Sequence, residues 1–456
     1  MFWIGLLACG VDGSESIQAD TDVTATDTVI DDGLFVDVSV AVVEEMPTTF
    51  TVTFETTRPV SAWIEHGAWQ SPPSDPALQH SVLAIGAAPG EAVDIRPVAM
   101  VDGQRVEGEV VTVEAGWLTD WPSPTVHVDG QLDGLLLAVF QHSEQPWAAV
   151  FRGDGQVCWA RPLGMDANRV SVVVQPSVLG GLWVDSYDGD RTEADGKLHR
   201  LDLRGKIVDS VNVDLGHHGF VERADGGLAY LAVDIRETET WGSVVGDQII
   251  EIDADGSHRT IFSTWDELTV RESSTWWQGF YPQGHDWTHG SGLSWDEHSQ
   301  VYTVSLAGTQ HVIALDRQGD ITARIAGSTI DADAIQTAPD DAQFVRPHGA
   351  HWTQDGDLLV FSSANLISRG GRYRVDVDAA VAEETARYGE ELGHHALTMG
   401  SLEELPDGRL LMVWGSAGVV DVLDADGSVA WRMQTPLGTW ISDAVLLDGP
   451  HVITSP

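Results

Sequence analysis

Apolar and polar residues alternate along most of the chain, with the period expected of strands that bury one face. In the run TTFTVTFETT, the side chains of Phe50, Val52 and Phe54 share one face of such a strand. These runs are short and are separated by turns rich in Gly and Pro. One stretch, AAVAEETARYGEEL at residues 379–392, has a helical pattern and predicts a helical insert. The rest of the pattern predicts an all-β protein.

Repeated hairpins fill the larger, C-terminal part of the chain. An Asp-Gly or Gly-Asp pair between alternating apolar runs is a strong hairpin signal, and it recurs in AAVFRGDGQVCWA, IIEIDADGSHRTIF and VVDVLDADGSVAWRM. Between these copies lies a second kind of hairpin, as in FVERADGGLAYLAV and HWTQDGDLLVFSS. Two hairpins make four strands, which is the unit of a propeller blade, so residues 116–456 are predicted to form a β-propeller of about six blades.

The region before the propeller, residues 34–115, also consists of short predicted strands divided by Pro-Gly and Asp-Gly turns. Its stretch HSVLAIGAAPGEAVDIRPVAM resembles the end of a fibronectin type III-like domain. The resemblance implies a small β-sandwich in front of the propeller. No residue pattern in it predicts chemistry, so we expect a spacer or a support.

The N-terminus carries a candidate lipid anchor. Residues 1–9, MFWIGLLAC, resemble the lipobox of bacterial lipoproteins, in which the cysteine, here Cys9, is lipidated. The segment is too short to span a bilayer, and the first basic residue is Arg58, so either a lipoprotein signal is truncated, which we favour, or the resemblance is accidental. Residues 10–33 are acidic and lack aromatic side chains, which predicts a disordered tether. We expect an extracytoplasmic protein of the cell envelope that meets the membrane only through this anchor.

Charge narrows the range of partners. The chain has 70 Asp+Glu against 24 Lys+Arg, a formal net charge of −46. Such a surface repels nucleic acid and anionic lipid, so we expect no nucleic-acid partner; the acidity itself is typical of a strongly solvated surface. Two cysteines cannot build a disulfide framework. Cys158, at an apolar strand position, is predicted to be a buried, inert thiol.

Histidines stand at corresponding places in three successive repeats. The segments are LGHHGF (215–220), HDWTHGSGL (285–293) and FVRPHGAHW (344–352), each just before the inner hairpin of its repeat. Equivalent positions of a propeller converge on its central channel, so three imidazoles are predicted to meet there; for any single one, a structural role is the alternative. Alternation along a strand predicts that only one of His217 and His218 lines the channel. We choose His218, with His217 as the alternative.

These segments and the strands around them resemble the bacterial arylsulfate sulfotransferase family. Its members carry His-His-Asp, Asp-Trp-x-His-x-Asn and Gln-His-Asp at these places, and the likeness covers both the propeller and the sandwich. The family moves a sulfuryl group from a phenol sulfate to another phenol through a sulfated histidine, without a nucleotide donor. The resemblance implies that His348 is the nucleophile, that His218 and His289 flank the sulfate, and that the substrates are a small aryl sulfate and a phenol. It implies no cofactor.

The chain departs from the family pattern at several positions. Gly219 and Gly349 stand where the family has aspartates, and Ser291 replaces its asparagine. The family's arginine has no counterpart in VYTVSLAGTQ. Arg346 is predicted to substitute for it, because two residues before His348 it would share the same strand face. Loss of the aspartates would leave the imidazoles without orienting partners, which predicts altered or lost activity.

The proposed chemistry suits imidazoles. Sulfuryl transfer resembles phosphoryl transfer, with a loose transition state that needs an in-line nucleophile and positioned donors. A neutral imidazole can attack sulfur, and a protonated one can stabilise or protonate the leaving phenolate. The stretch STWWQGFYPQGHDW (274–287) either covers the top of the propeller or forms an aromatic wall for a phenolic ring. The residues predicted to contact substrate are His217, Trp287, Ser291, Arg346 and Asn365.

Two other functions are compatible with the sequence. A non-catalytic propeller would hold a ligand or a protein segment in its channel, and the missing arginine and aspartates favour it. Three histidines could instead bind a transition metal. Metal-bound histidines usually have acidic partners, which became glycines here, so we predict no metal site. The oligomeric state is left open.

Overall fold

The structure is a computed structural model that describes residues 29–30, 33–142, 145–164, 169–188, 195–270, 281, 283–328, 331–363 and 367–454. Cys9, Asn365 and most of the predicted tether lie outside the described residues. Strands account for most of the described elements, which confirms the all-β prediction. In the described part of the chain, no helix has the length and apolar character that crossing a membrane requires.

Nine strands form the N-terminal part. They are β1 (Val29–Ile30), β2 (Phe35–Val43), β3 (Met46–Val60), β4 (Ala62–His66), β5 (Trp69–Gln70), β6 (Ala77–Ala84), β7 (Ala92–Val101), β8 (Gln104–Glu107) and β9 (Val111–Glu114). The next group is β10 (His127–Gly130), β11 (Leu135–His142), β12 (Gln145–Arg152), β13 (Val157–Pro162), β14 (Arg169–Val170), β15 (Val174–Pro176), β16 (Leu182–Asp188), β17 (Lys197–Leu201) and β18 (Ile207–Asn212).

The remaining elements continue the same pattern. They are β19 (Gly216–Glu222), β20 (Leu228–Thr238), β21 (Gly242–Ile252), β22 (His258–Ser263), α1 (Thr264–Glu267), β23 (His285–Asp286), β24 (Gly290–Asp296), β25 (Val301–Leu306), β26 (His311–Asp316), β27 (Ile321–Ala326) and β28 (Ile335–Ala338). They end with β29 (Pro347–Trp352), β30 (Leu358–Ser362), β31 (Arg369–Asp376), β32 (Val381–Tyr388), β33 (Ser401–Glu404), β34 (Leu410–Val413), β35 (Val419–Leu423), β36 (Val429–Gln434), β37 (Thr439–Leu447) and α2 (His451–Thr454). Short 3-10 helices cover Asp340–Ala342, Glu390–Leu392 and Gly415–Ala417.

The N-terminal strands form two sheets that share one core. The first has the order β1-β8-β7-β4-β5, with β9 also paired to β7, and the second has the order β2-β3-β6. Phe50, Val52 and Phe54 point from β3 into this core, as the alternation predicted, while Thr53 and Glu55 are exposed. Burial of one face of each sheet therefore holds the two sheets together.

His66 makes the N-terminal core sensitive to acid. The residue is 4% exposed, and burial lowers the pKa of its imidazole from 6.5 to about 4. The unfolded chain therefore binds a proton at a higher pH than the folded chain, so stability falls as the pH drops from about 6.5 towards 4. We expect His66→Leu to remove about 3 kcal/mol of this loss between pH 7 and pH 4, as measured by urea unfolding. The exposed His298→Gln is the control; an equal pH dependence in the His66 variant would contradict the assignment.

The C-terminal part consists of four-stranded antiparallel units. Within the described residues there are six: β37-β11-β12-β13, β15-β16-β17-β18 with β14 also on β16, β19-β20-β21-β22, β24-β25-β26-β27, β29-β30-β31-β32 and β33-β34-β35-β36. The strand β28 joins the fourth and fifth units into one nine-stranded sheet. Each unit buries apolar side chains against its neighbours, so the core runs from unit to unit.

The two ends of this part are paired with each other. The last strand, β37, forms the first strand of the first unit by pairing with β11, and β10 pairs with β36 of the sixth unit. Trp431 of β36 is fully buried, and its Nε1–H donates to the carbonyl of Gly153 at 2.8 Å. Strand exchange at both ends thus closes the succession of units.

The predicted helical insert is wrong. Residues 381–388 form strand β32, which pairs with β31, and only Glu390–Leu392 form a short 3-10 helix. Ala382 and Tyr388 are buried by this pairing. Packing against a neighbouring strand outweighs the intrinsic helical preference of the Ala- and Glu-rich sequence.

The prediction for Cys158 is confirmed. The thiol is fully buried, its Sγ lies 3.4 Å from the carbonyl oxygen of Val150, and burial raises its pKa to about 12. A thiol with so high a pKa forms little thiolate, so it is unreactive at neutral pH.

Candidate functional site

The first strands of several neighbouring units contact each other. Strand β24 contacts β19 on one side and β29 on the other, β29 contacts β33, and β37 contacts β15. At one end they enclose a cavity of about 310 Å³ whose wall includes residues from every unit. The structure brings His217, His218, His289, His348 and Arg346 together in this wall.

Bulges in the first strands position these side chains. The pairing register shifts in β19 between Gly216 and Phe220, and again in β29 between His348 and His351. His218 takes the left-handed backbone conformation with φ of 49°. Bulges and left-handed non-glycine residues cost energy, and they cluster where a side chain must point in an irregular direction.

Two further residues share this conformation. His289 and Arg346 both have φ of 47° and precede the first strand of their units. In β24 the register shifts between Gly290 and Gly292, one residue after His289. The irregular backbone therefore recurs in three consecutive units, at the residues that face the cavity.

The prediction that only one of the two adjacent histidines reaches the channel is wrong. Both His217 and His218 line the cavity, because the bulge and the positive φ of His218 interrupt the alternation of strand faces. Their Nδ1 atoms are 3.0 Å apart, and the His218 ring lies 5.1 Å from that of His289 between centroids.

A buried carboxylate pairs with His217. Asp247 of β21 is 1% exposed, and its Oδ1 lies 2.8 Å from Nε2 of His217. Its Oδ2 accepts hydrogen bonds from the hydroxyl of Thr288 and, at 2.8 Å, from the backbone N–H of Gly290. Burial alone would raise the pKa of Asp247, but these contacts outweigh it and hold the pKa below its usual value. Asp247 is therefore ionised at neutral pH.

A second carboxylate pairs with His289. Oδ2 of Asp286, which is 1% exposed, lies 2.6 Å from Nδ1 of His289. The pair comes from residues three apart, with β23 holding the aspartate and the start of β24 following the histidine. A carboxylate at Nδ1 accepts the proton of that nitrogen in a hydrogen bond and fixes the orientation of the His289 ring.

His348 differs from the other imidazoles. In the described part of the chain no hydrogen-bond partner reaches its buried Nδ1. Burial lowers the pKa of His348 to about 4, a hydrogen bond to the backbone of Gly400 offsets part of this, and the nearby His289 lowers it further. His348 is therefore neutral at physiological pH, and the residue lines both the cavity and the chamber beyond it.

The glycines that replace the family's aspartates fit closely between strands. A Cβ at Gly219 would lie 2.8 Å from the backbone nitrogen of Leu293, and Gly349 has φ of 53° with a Cβ position 3.0 Å from that of Ser401. A side chain at either position would clash or strain the backbone. The expectation that the imidazoles lack acidic partners is wrong for His217 and His289, because Asp247 and Asp286 come from other strands.

Arg346 and Ser291 also lie in the cavity wall. Nε of Arg346 donates to the carbonyl of Ser363 at 2.8 Å, and the side chain is half-buried. Arg346 precedes β29, so it reaches the cavity through its positive φ and not through the predicted strand face. The hydroxyl of Ser291 donates to the carbonyl of Pro347 at 2.6 Å, which ties β24 to β29.

The structure does not place Trp287 in the cavity. Its side chain is 1% exposed and packs on Trp265, with ring centroids 5.2 Å apart. Tyr281 lines the cavity in its place, together with Tyr187 and Val172 from the second unit. Most of the Trp-rich stretch before Tyr281 lies outside the described residues, so the predicted aromatic wall stays a prediction.

A second chamber lies beyond the histidines. It also measures about 310 Å³ and shares His218, Ser291 and His348 with the first cavity. Its wall carries the carboxyl groups of Glu403 and Asp443.

Two residues of the site, Asp247 and Asp286, were not among the predicted site residues. Asp247 is an acidic residue inside the apolar run VVGDQIIEI, which is the signal of a buried, paired carboxylate. Asp286 belongs to the Asp-Trp-x-His motif but was not predicted as a site residue. Among the described residues there is no group of three His, Cys, Asp or Glu side chains arranged to bind an ion.

Comparison with known proteins adds a family and several solved structures. The family model described as arylsulfotransferase (ASST) matches residues 133–435. No curated protein matches the sequence. A protein of unknown function from Bacteroides caccae is 13% identical over 69% of this chain and 99% of that chain, with a TM-score of 0.47. A streptogramin B lyase is 12% identical over 70% of this chain and 98% of that chain, with a TM-score of 0.40. Likeness of this degree says nothing about activity.

Proposed function

Because the chain belongs to the arylsulfotransferase family, we propose that it transfers a sulfuryl group from an aryl sulfate to a phenol through a sulfated His348. The observation that carries the proposal is the state of His348. Its ring is neutral, and its buried Nδ1 has no hydrogen-bond partner in the described part of the chain. A neutral imidazole has a nitrogen lone pair that can attack sulfur, and His348 lines the cavity.

The other groups of the wall suit the developing charge. In the first half-reaction, the S–O bond of the donor breaks as a nitrogen of His348 bonds to sulfur, and the phenolate leaves. In the second, a phenol oxygen attacks sulfur and the N–S bond breaks. Arg346 and the imidazoles of His218 and His289 can contact the peripheral oxygens, where charge is spread in a loose transition state.

The cavity wall also carries apolar and aromatic side chains that an aromatic ring could contact. Val172, Tyr187, Leu215 and Tyr281 line it together with the charged groups. A wall that carries both apolar side chains and hydrogen-bond donors suits a small ligand with one anionic end, such as an aryl sulfate.

We further propose the finer architecture and the location. Six four-stranded units whose ends are joined by strand exchange support a six-bladed propeller, and the two N-terminal sheets with one core support a fibronectin III-like sandwich. The lipobox-like residues 1–9 and the acidic residues 10–33 support a lipid-anchored protein of the cell envelope, tethered through Cys9.

The test of the activity uses purified protein with para-nitrophenyl sulfate as donor and phenol as acceptor. We expect release of para-nitrophenolate that depends on phenol, formation of phenyl sulfate, and, without acceptor, a peptide containing His348 that is heavier by one sulfuryl group. Absence of both phenolate release and the modified peptide would reject the proposal.

Arg346 provides a specific test of anion binding. Arg346→Met removes the cation from the wall and is expected to raise KM for the aryl sulfate at least about tenfold, since a charge-assisted hydrogen bond contributes about 1.5–3 kcal/mol. The exposed Arg374 of the same unit supplies the matched control, Arg374→Met. Steady-state kinetics measures KM for the aryl sulfate in both variants. An unchanged KM in Arg346→Met would show that this residue does not bind the sulfate.

A non-catalytic binding protein is the second candidate. The strand segment 301–310 supplies no cation, and the hydroxyl of Ser291 is engaged in holding two strands. In that case the cavity would bind inorganic sulfate or an aryl sulfate without turnover. Calorimetric binding of phenyl sulfate by a preparation that shows no transfer would favour this function.

A further inference from the structure

A chain of polar contacts leads from the protein interior to the cavity wall. It begins at Asp247, which is 1% exposed, and passes through His217, which is 6% exposed, to His218, which lies in the wall of both chambers. The two links are 2.8 Å from Oδ1 of Asp247 to Nε2 of His217 and 3.0 Å from Nδ1 of His217 to Nδ1 of His218. Three polar groups in succession, of which only His218 borders both chambers, have the form of a proton path.

The contacts restrict where the protons are. A carboxylate only accepts hydrogen bonds, and Asp247 already accepts from Thr288 and Gly290, so Nε2 of His217 must carry a proton. Oδ1 of Asp247 and Nε2 of His217 are close, but the N–H bond does not point at the oxygen. The attraction between the two groups therefore comes mainly from charge. A buried carboxylate attracts a positive charge, and Oδ1 of Asp247 lies 2.8 Å from the imidazole of His217.

The contact between His217 and His218 then determines which nitrogen of His218 carries a proton. Two Nδ1 atoms at 3.0 Å need one proton between them. If His217 is the imidazolium, it donates from Nδ1 and His218 accepts, so His218 is neutral with its proton on Nε2. Such a ring can donate the Nε2 proton while it receives another at Nδ1.

We propose that Asp247, His217 and His218 form a proton relay that protonates the leaving phenolate and later deprotonates the acceptor phenol. The relay rests on the proposed sulfuryl transfer and assigns a role to Asp247 as a positioning residue, since it acts through His217.

The steps balance without any added reagent. As the S–O bond of the donor breaks, Nε2 of His218 gives its proton to the phenolate oxygen, and Nδ1 of His217 gives its proton to Nδ1 of His218. Both rings are then neutral, and Asp247 keeps its contact with Nε2–H of His217. In the second half-reaction the acceptor hydroxyl returns a proton to Nε2 of His218, and Nδ1 of His218 returns one to Nδ1 of His217. The phenolate oxygen bonds to sulfur as the N–S bond breaks, which leaves His348 neutral again.

The second acid–imidazole pair does not form such a path. Asp286 contacts His289 directly, and their link ends at a ring that itself lines the cavity. Other titratable groups that face the relay are Tyr281, whose ring lies 6.0 Å from that of His217, and His289, beside His218. A tyrosine hydroxyl is neutral near pH 7, so the charge of the relay is set by Asp247 and the imidazoles.

The test compares donors whose leaving groups differ in basicity. Asp247→Asn keeps the size of the side chain but removes its charge, and its amide can donate to His217, which reverses the direction of the chain. We expect the rate of the first half-reaction with unsubstituted phenyl sulfate, measured in a single turnover without acceptor, to fall about 100-fold, because phenolate is a basic leaving group that needs a proton. With para-nitrophenyl sulfate, whose leaving group needs no proton, we expect a change of less than about threefold.

Two controls separate this role from a structural one. Asp331→Asn alters a matched acid–imidazole pair, with Nε2 of His311 3.1 Å from Oδ2 of Asp331, outside both chambers. It should change neither donor's kcat. His217→Gln interrupts the relay at its middle group and should repeat the selective loss, so the test stands even if Asp247→Asn does not fold.

Nitrogen NMR measures the protonation of the imidazole nitrogens and so tests the relay in the absence of turnover. In the unmodified protein at neutral pH we expect both nitrogens of His217 to be protonated, and in Asp247→Asn only one. Equal losses with both donors, or a His217 that is singly protonated in the unmodified protein, would overturn the relay. Failure of the unmodified protein to transfer from any donor would reject the sulfotransferase proposal instead, and the NMR result would be unaffected.

Discussion

Replacing His348 with asparagine is expected to lower sulfuryl transfer by at least about 10³-fold, because the substitution removes the group that bonds to sulfur. Asparagine keeps a polar side chain of similar reach, but its amide nitrogen has no available lone pair. The cavity wall would still contain His218, His289 and Arg346, which can contact a sulfate group. We therefore expect kcat to collapse while the affinity for inorganic sulfate, measured by calorimetry, changes little.

The matched control is His258→Asn, at an exposed strand position remote from both chambers. It should retain full activity. Mass spectrometry after incubation with donor alone should find the added sulfuryl group on a peptide containing His348 in the unmodified protein and nowhere in His348→Asn. Substantial activity in His348→Asn, or a sulfated peptide elsewhere in the chain, would contradict the assignment of the nucleophile.

The loss of activity at low pH should follow the protonation of His348. Burial lowers the pKa of His348 to about 4, so the ring stays neutral and nucleophilic through the mildly acidic range and becomes protonated only near pH 4. A loss of activity between pH 7 and pH 5 would therefore have to come from another group.

Replacing Trp431 with alanine is expected to lower the free energy of unfolding by about 3–5 kcal/mol, the usual cost of removing a buried tryptophan. The side chain is fully buried in a core that includes residues of the first and sixth units. It also donates a hydrogen bond to the carbonyl of Gly153 in the first unit, at 2.8 Å. The substitution leaves a cavity and an unpaired carbonyl at the junction that closes the succession of units.

Equilibrium unfolding in urea measures this effect. Trp117→Ala, at a tryptophan that is 75% exposed, is the control and should change stability by less than about 0.5 kcal/mol. Trp431→Phe keeps most of the apolar volume and loses only the hydrogen bond, so its cost should be about 1–2 kcal/mol. Equal unfolding midpoints for Trp431→Ala and Trp117→Ala would show that this junction does not limit stability.

Local patterns of the sequence predicted the strands well, because a strand's buried face depends on neighbours two residues apart. Phe50, Val52 and Phe54 illustrate this, since their alternation alone placed them in one core. The same kind of local reasoning failed at residues 381–388, where strand pairing with β31 overrides a helical composition.

The candidate site was only partly predictable. The three histidine segments could be found because repeats place equivalent residues at equivalent positions, and the structure brings His218, His289 and His348 to one cavity. The roles of these residues in transfer stay predictions. Trp287 was expected at the cavity because of its position in the motif, yet its ring turns into the core against Trp265.

By itself the sequence determined the all-β class, the family, and the segments that supply imidazoles, since these depend on periodicity, turn residues and motifs. Only the tertiary structure decided which way the imidazoles point and what holds them. The positive φ of His218 turns both adjacent histidines to the cavity, and Asp247 reaches His217 from β21, a strand that pairs with β20 and not with β19. The physical reason is that bulges and contacts between distant strands are set by how the units pack, which no local pattern of residues records.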